Sequence, residues 1–307
     1  MFWKIFKREP QPYIEGNFGT DDGHCIYYRA FGNAKGIPVL SFHGGPGGSS
    51  RPKYAKLFNK NKFNFIQFDQ RGCGQSTAED IWRNNTTEFL IKDAKQLLDE
   101  LHISGKIIVH GVSWGSTLAL LFAEKYPHLV QKIVVSSVFL AREYDICWVN
   151  KESERFYPDL WAQMRQKAGS DDVYQIYHNK LFAEDTQENI EAMTYLGSYE
   201  FMLGQLAPEF SLSDATIDEQ SLTAQRIAFR YEENKYYIKN NQIIENADKI
   251  KHIPTLILHN RMDFCCPVKQ AWDLHQSLMK SKLIIAPAYG HSTKQLLKLA
   301  KTEINIF

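Results

Sequence analysis

The chain has 307 residues, 44% of them hydrophobic and 23% charged, a composition that suits one large globular domain or a core carrying an insert. Lys plus Arg number 36 against 35 Asp plus Glu, so the net charge of +1 gives no electrostatic case for nucleic acid or an anionic membrane as partner. No stretch approaches the roughly 20 apolar residues of a spanning helix, and residues 1–7 alternate apolar and basic side chains without forming the apolar stretch of a secretory signal. Five cysteines, odd in number and lacking a CxxC pair, suit neither a disulfide framework nor zinc, and point to reduced thiols in a cytoplasmic enzyme.

In chain order, residues 38–42, 63–68, 106–110 and 132–136 are short apolar runs of strand length. Between them, residues 87–102 place Phe89, Leu90, Ala94, Leu97, Leu98 and Leu101 on one helical face, with Gly105 behind as a stop. A second helical pattern, 116–125, ends at Tyr126-Pro127. Strand alternating with helix predicts an α/β fold, a mostly parallel sheet with helices on both faces. From about 141 to 240 no such strand recurs, and 157–167, 189–206 and 222–233 read as aromatic-rich helices. The rhythm then resumes with strands 255–259 and 282–286, a helix at 268–279 between them, and an amphipathic helix after His291. The predicted organisation is a core of residues 1–139 and 241–307, interrupted by a helical insert of residues 140–240.

Gly111-Val112-Ser113-Trp114-Gly115 fits G-x-S-x-G and lies where strand 106–110 meets helix 116–125, the context of a nucleophile elbow. Such a turn needs small neighbours, and it aims the N–H of the residue after the serine, here Trp114, at the developing oxyanion. His43-Gly44-Gly45-Pro46-Gly47-Gly48 follows strand 38–42, where glycines let backbone N–H groups approach a ligand. Gly45 is the expected second oxyanion donor, with its neighbours as alternatives. A serine nucleophile of this α/β-hydrolase type takes its acid and base from later strand ends, in the order Ser, Asp or Glu, His. Strand 255–259 runs into Asp263 and strand 282–286 into His291, which gives the triad Ser113, Asp263 and His291. His252 precedes a strand, His259 lies within one and His275 sits in mid-helix, so none of them fits the base. The chemistry needs no metal or organic cofactor.

Together these motifs resemble the proline iminopeptidase (prolyl aminopeptidase) family of α/β-hydrolase-fold serine peptidases. His43–Gly48 is similar to its HGGPGG loop, residues 68–76 (FDQRGCGQS) to its FDQRGCGRS, and residues 113–120 (SWGSTLAL) to its SWGSTLAL. Asn85-Thr86-Thr87 matches NTT, Arg261 to Pro267 resembles RYDxxCP, and Gly290-His291-Ser292 resembles GHS. The resemblance implies a cytoplasmic aminopeptidase that removes N-terminal proline from short peptides through an acyl-enzyme, with the insert as an active-site cap. It also implies carboxylates that bind the free amine of the substrate: Glu200, from a WE pair that Tyr199-Glu200 resembles, and Glu233, which opens a segment resembling ENHYF, with the adjacent Glu232 as alternative. Phe139, Tyr237 and Cys266 fall where the family lines the pocket for the proline ring. Two departures stand out. The family's arginine shortly before the position of Phe139 is missing, and Phe201 stands where glycine follows the WE pair. Both touch the cap-facing region and keep open an esterase, amidase or C–C hydrolase acting on small apolar substrates. Asp69 precedes Ser113 and is expected to form a buried ion pair with Arg71 that supports the oxyanion loop, not to act as the catalytic acid.

Overall fold

The apolar runs become neighbouring strands because most of their side chains are buried on both faces of one sheet. The computed structural model describes residues 9–205, 218–291 and 293–307. The reading of residues 1–7, the last residue of the helix predicted at 189–206, and Ser292 of the GHS motif lie outside the described residues.

The strands are β1 (Ile14–Gly19), β2 (His24–Gly32), β3 (Ile37–Phe42), β4 (Phe63–Phe68), β5 (Thr77–Ala78), β6 (Ile107–Val112), β7 (Val130–Ser136), β8 (Thr255–Met262) and β9 (Ser281–Tyr289). Their order is β1-β2-β4-β3-β6-β7-β8-β9, with β5 pairing β2. β3, β4, β6, β7, β8 and β9 run parallel, while β1, β2 and β5 form an antiparallel edge that the sequence reading did not anticipate. The helices are α1 (Thr87–Glu100), α2 (Trp114–Lys125), α3 (Glu143–Asn150), α4 (Pro158–Ala168), α5 (Val173–Phe182), α6 (Thr186–Gln205), α7 (Glu219–Glu233), α8 (Gln242–Glu245), α9 (Lys269–Ser277) and α10 (Lys294–Ile306).

Alternate residues of each strand face opposite layers. Leu40, Phe42, Ile66, Phe68 and Val109 join the side chains of α1, α2 and α9. Val39, Phe63, Phe65 and Ile108 join those of α10 and of a single helical turn at Pro52–Leu57. A third apolar cluster, built around Leu160, Trp161, Tyr177, Leu196 and Phe229, belongs to the helices between β7 and β8. Helix α7 ties that cluster to the sheet, since Phe229 lies in the helical cluster while Ile227 and Tyr231 join the core beside the sheet.

Candidate active site

Ser113 sits between β6 and α2 with φ 58° and ψ −130°, a conformation rarely adopted by a non-glycine residue and characteristic of a strained functional turn. The sharpness of the turn dictates its glycines. A Cβ on Gly111 would overlap the carbonyl oxygen of Gly115, and a Cβ on Gly115 would overlap that of Phe42 at the end of β3. The Ser113 N–H donates to Ser136 O across to β7 (3.1 Å), and Ser113 O accepts from both the N–H and the hydroxyl of Ser116 (2.7 and 2.6 Å).

The loop after β3 faces this serine: a Cβ built on Gly44 would stand 3.3 Å from Ser113 Cβ. A buried polar network fixes the loop from behind. Gln70 N–H donates to His43 Nε2 (3.0 Å), Gln70 Nε2 to His43 O (3.0 Å), and Trp114 Nε1 to Gln70 Oε1 (3.0 Å). Burial pushes His43 below the ordinary histidine range despite the nearby Asp69 charge. A neutral ring that accepts at Nε2 carries its proton on Nδ1, which donates to Gly44 O (2.8 Å). Trp114 opens α2, so its N–H has no intrahelical acceptor, and the Gly45 N–H has no acceptor among the described residues.

Asp69 does not pair with Arg71. Its carboxylate accepts from the N–H groups of Ser50 (2.7 Å) and Gln75 (2.9 Å), while Arg71 reaches Asp93 of α1 and Asp22 (both 2.6 Å). The neighbours in sequence diverge because they leave the end of β4 towards opposite partners. Asp69 still braces the segment that follows the glycine loop, through backbone donors and without an ion pair.

Asp263 and His291 meet as the order of the strands requires. Asp263 follows β8 and is buried; its Oδ1 accepts from the N–H groups of Cys265 (3.1 Å) and Cys266 (2.9 Å). His291 Nδ1 lies 2.8 Å from Asp263 Oδ2 and 3.0 Å from Oδ1. Burial opposes charging of the His291 ring, but the Asp263 carboxylate outweighs it and raises the net proton affinity above the ordinary histidine value. The loop carrying His291 is anchored to α6 by its N–H, which donates to Gly204 O (2.7 Å). His259, 3.6 Å from Asp263 through Nε2, is occupied otherwise: Nδ1 accepts from Val138 N–H (3.1 Å) and Nε2 donates to Cys266 O (2.7 Å). Burial keeps that ring neutral.

At the end of α7 the two glutamates that the sequence offered, Glu233 and its alternative Glu232, differ in their surroundings. Glu233 is exposed, its carboxylate 3.7 Å from His178 Nε2, and the structure does not bring it to Glu200. Glu232 points inward instead. It accepts from Asn150 Nδ2 and lines a cavity with Glu200, Trp161, Tyr174, Tyr199 and Phe229. Burial, opposed by the hydrogen bond from Asn150 and reinforced by the Glu200 charge, lifts Glu232 to about 7. Glu200 lines the same cavity but is exposed overall; desolvation shifts its carboxyl upward, and it accepts from Gln225 Nε2 (3.0 Å).

The two tyrosines that follow α7 also differ in their neighbours. Tyr237 lines a separate cleft of about 350 Å³ with Thr87, Glu124 and Gln242. Tyr236 is the ring that packs on Trp114 (centroids 5.3 Å apart) and edge-on to Phe139 (5.1 Å). The charges of Glu232 and Glu200 and the Cys266 thiol all bear on the Tyr236 hydroxyl, and with burial they hold it protonated. Cys266 is buried, and that burial pushes its thiol well above the ordinary range. Glu200 and Glu232 line one cavity, and Tyr236 lies near enough to both for their charges to act on its hydroxyl. Consecutive residues on a helix diverge by about 100°. Glu232 and Glu233, the last two residues of α7, accordingly face different surroundings.

A family model described as "alpha/beta hydrolase fold" matches residues 37–294. The proline iminopeptidase of Arabidopsis thaliana is 34% identical over 292 residues, covering 93% of this chain and 77% of that protein. The proline iminopeptidase of Neisseria gonorrhoeae is 33% identical over 287 residues, covering 92% and 91%. Among solved structures, that of VinJ superposes with a TM-score of 0.64 at 18% identity, covering 96% of this chain and 98% of that one, a likeness of fold. On sequence, fold and the full length of the match, the chain belongs to the proline iminopeptidase family of α/β hydrolases.

Proposed function

We propose that this protein is a serine aminopeptidase that releases N-terminal proline from short peptides. The observation that carries the reading is a strained Ser113 turn, a paired Asp263–His291 and, on the inserted helices, a cavity lined by the carboxylates Glu200 and Glu232. Ser113 Oγ attacks the prolyl carbonyl while His291 Nε2 takes its proton, and Asp263 holds the ring with Nδ1–H towards itself and stabilises the imidazolium. The N–H groups of Gly45 and Trp114 receive the oxyanion, a contribution of about 3 kcal/mol per donor. His291 then protonates the departing amine, and water releases proline from the acyl-enzyme by the reverse sequence.

Glu200 and Glu232 give the site its requirement for a free amine. Both line one cavity, where the partly buried Glu232 and its neighbour offer a substrate ammonium a charge-assisted contact. Phe139, Cys266 and Tyr236 supply flat and apolar walls for the proline ring. Residues 140–240 act as a cap on a core of residues 1–139 and 241–307. Contacts from α6 to His291 and from α7 to the glycine loop support this, and such a cover favours short peptides over folded chains. A cytoplasmic location fits the five free thiols; among the described residues no helix is long and apolar enough to cross a membrane. Hydrolysis of proline 4-nitroanilide tests the reading. Turnover that a serine-directed phosphonate abolishes by labelling Ser113 is the expected result; no turnover, with brisk hydrolysis of simple esters, would favour an esterase.

A further inference from the structure

Cys265 takes no part in the acyl-transfer geometry, yet its thiol stands beside the residues that do. Among the described residues, one set of His, Cys and carboxylate side chains converges closely enough to share a cation: Asp263, Cys265 and His291. One ligand atom from each lies within 4.8 Å of the other two. The thiol is confined there. The Cys265 N–H is tied to Asp263 Oδ1, and a Cβ built on Gly204 of α6 would stand 3.9 Å from Cys265 Sγ. The side chain packs against both the core and the helical cluster. In the RYDxxCP pattern that residues 261–267 resemble, this position is unspecified.

Sulfur, imidazole nitrogen and carboxylate oxygen form a zinc donor set. Tetrahedral zinc with bonds of about 2.0–2.3 Å spaces its ligands roughly 3.3–3.8 Å apart, within about an ångström of the present arrangement. We propose that this cluster is an inhibitory site for a thiophilic divalent cation such as zinc, with Cys265 supplying the ligand that Asp263 and His291 lack between them. The inference rests on the reading of Asp263 and His291 as the catalytic pair. The cation forms bonds to Sγ, to Nδ1 and to one carboxylate oxygen, and water fills the remaining position. The thiol proton leaves to solvent and the Nδ1 proton is relocated to Nε2, so one proton is released per ion and the ring stays neutral. With Nε2 protonated, His291 no longer accepts the Ser113 proton, and the Asp263 charge is spent on the metal.

Zinc titration of the full-length protein against 4-nitrophenyl acetate, a substrate with no amine, tests this independently of peptide recognition. Zinc should inhibit the wild type reversibly, with EDTA restoring full activity. Cys265→Ser, or Cys265→Ala should the serine variant not fold, should need at least about tenfold more zinc, as removal of a ligand costs no less than the 10–100-fold of an outer-shell change. Cys147→Ser, which alters an exposed thiol in α3, should behave as the wild type. Cobalt should give a thiolate-to-metal charge-transfer band with the wild type that is lost in the Cys265 variant. Equal zinc sensitivity of wild type and Cys265 variant, or no such band with the wild type, would overturn the proposal. Failure of the peptidase reading alone would appear as inactivity towards proline 4-nitroanilide and leave these results standing.

Discussion

Glu232 and Glu233 are adjacent in sequence and opposite in situation. Glu232 is enclosed with Glu200, Tyr174 and Asn150, whereas Glu233 is exposed beside His178. Glu232→Gln should therefore raise KM for proline 4-nitroanilide by about 10- to 100-fold, the worth of one charge-assisted contact. Glu233→Gln should leave KM within a factor of about two, as expected of an exposed pair. Steady-state kinetics on the two variants separates them. The raised proton affinity of Glu232 also sets a pH dependence. Between the ordinary carboxylate range and about 7 the folded chain holds a proton that the unfolded chain has released. The group's contribution to stability is thus present at low pH and declines as pH rises through 7, the reverse of a salt-bridged carboxylate. Binding of an ammonium runs the other way and improves as Glu232 ionises. The ratio of kcat/KM for proline 4-nitroanilide to that for an ester without an amine should climb through about pH 7, and Glu232→Gln should flatten it. Taking the ratio removes the ionisation of His291, which both substrates share.

At the scale of elements, two loops of the sheet meet two helices of the insert. A Cβ on Gly47 would overlap Ala224 O of α7, and φ at Gly47 is +83°. Gly47→Ala should lose about 1–3 kcal/mol, read from a urea midpoint, and reduce kcat by displacing the glycine loop from its place opposite Ser113. What the sequence made legible follows from burial. Strand β4 emerges at the predicted residues, and β3, β6, β7, β8 and β9 within a few of theirs, because runs buried on both faces are apolar throughout. The antiparallel edge was illegible for the opposite reason. Strand β1 carries Glu15, Gly16 and Asn17 and is largely exposed, so it has neither an apolar run nor a clean alternation. Helices α3 and α5 were missed as well, being short pieces whose stability comes from packing and not from a marked apolar face.

For the whole molecule, the Asp263–His291 pair was readable because each lies just past a strand of the parallel sheet, so chain order nearly fixes which loops meet. The Asp263–His291 contact and the turn at Ser113 follow that order. The amine site was less so. Its candidate residues come from helices whose rotational phase no short motif records, so the sequence could not decide between Glu232 and Glu233, of which only Glu232 lines the cavity. The molecule thus joins a nucleophile set by the sheet to a selectivity set by the inserted helices. The most direct test compares proline 4-nitroanilide with its N-acetylated form on the wild-type protein. The free amine should be favoured by about a hundredfold in kcat/KM, the equivalent of roughly 3 kcal/mol from a charge-assisted contact. Equal turnover of the two, or preference for the acetylated form, would contradict an aminopeptidase built on Ser113 and the Glu200–Glu232 pair.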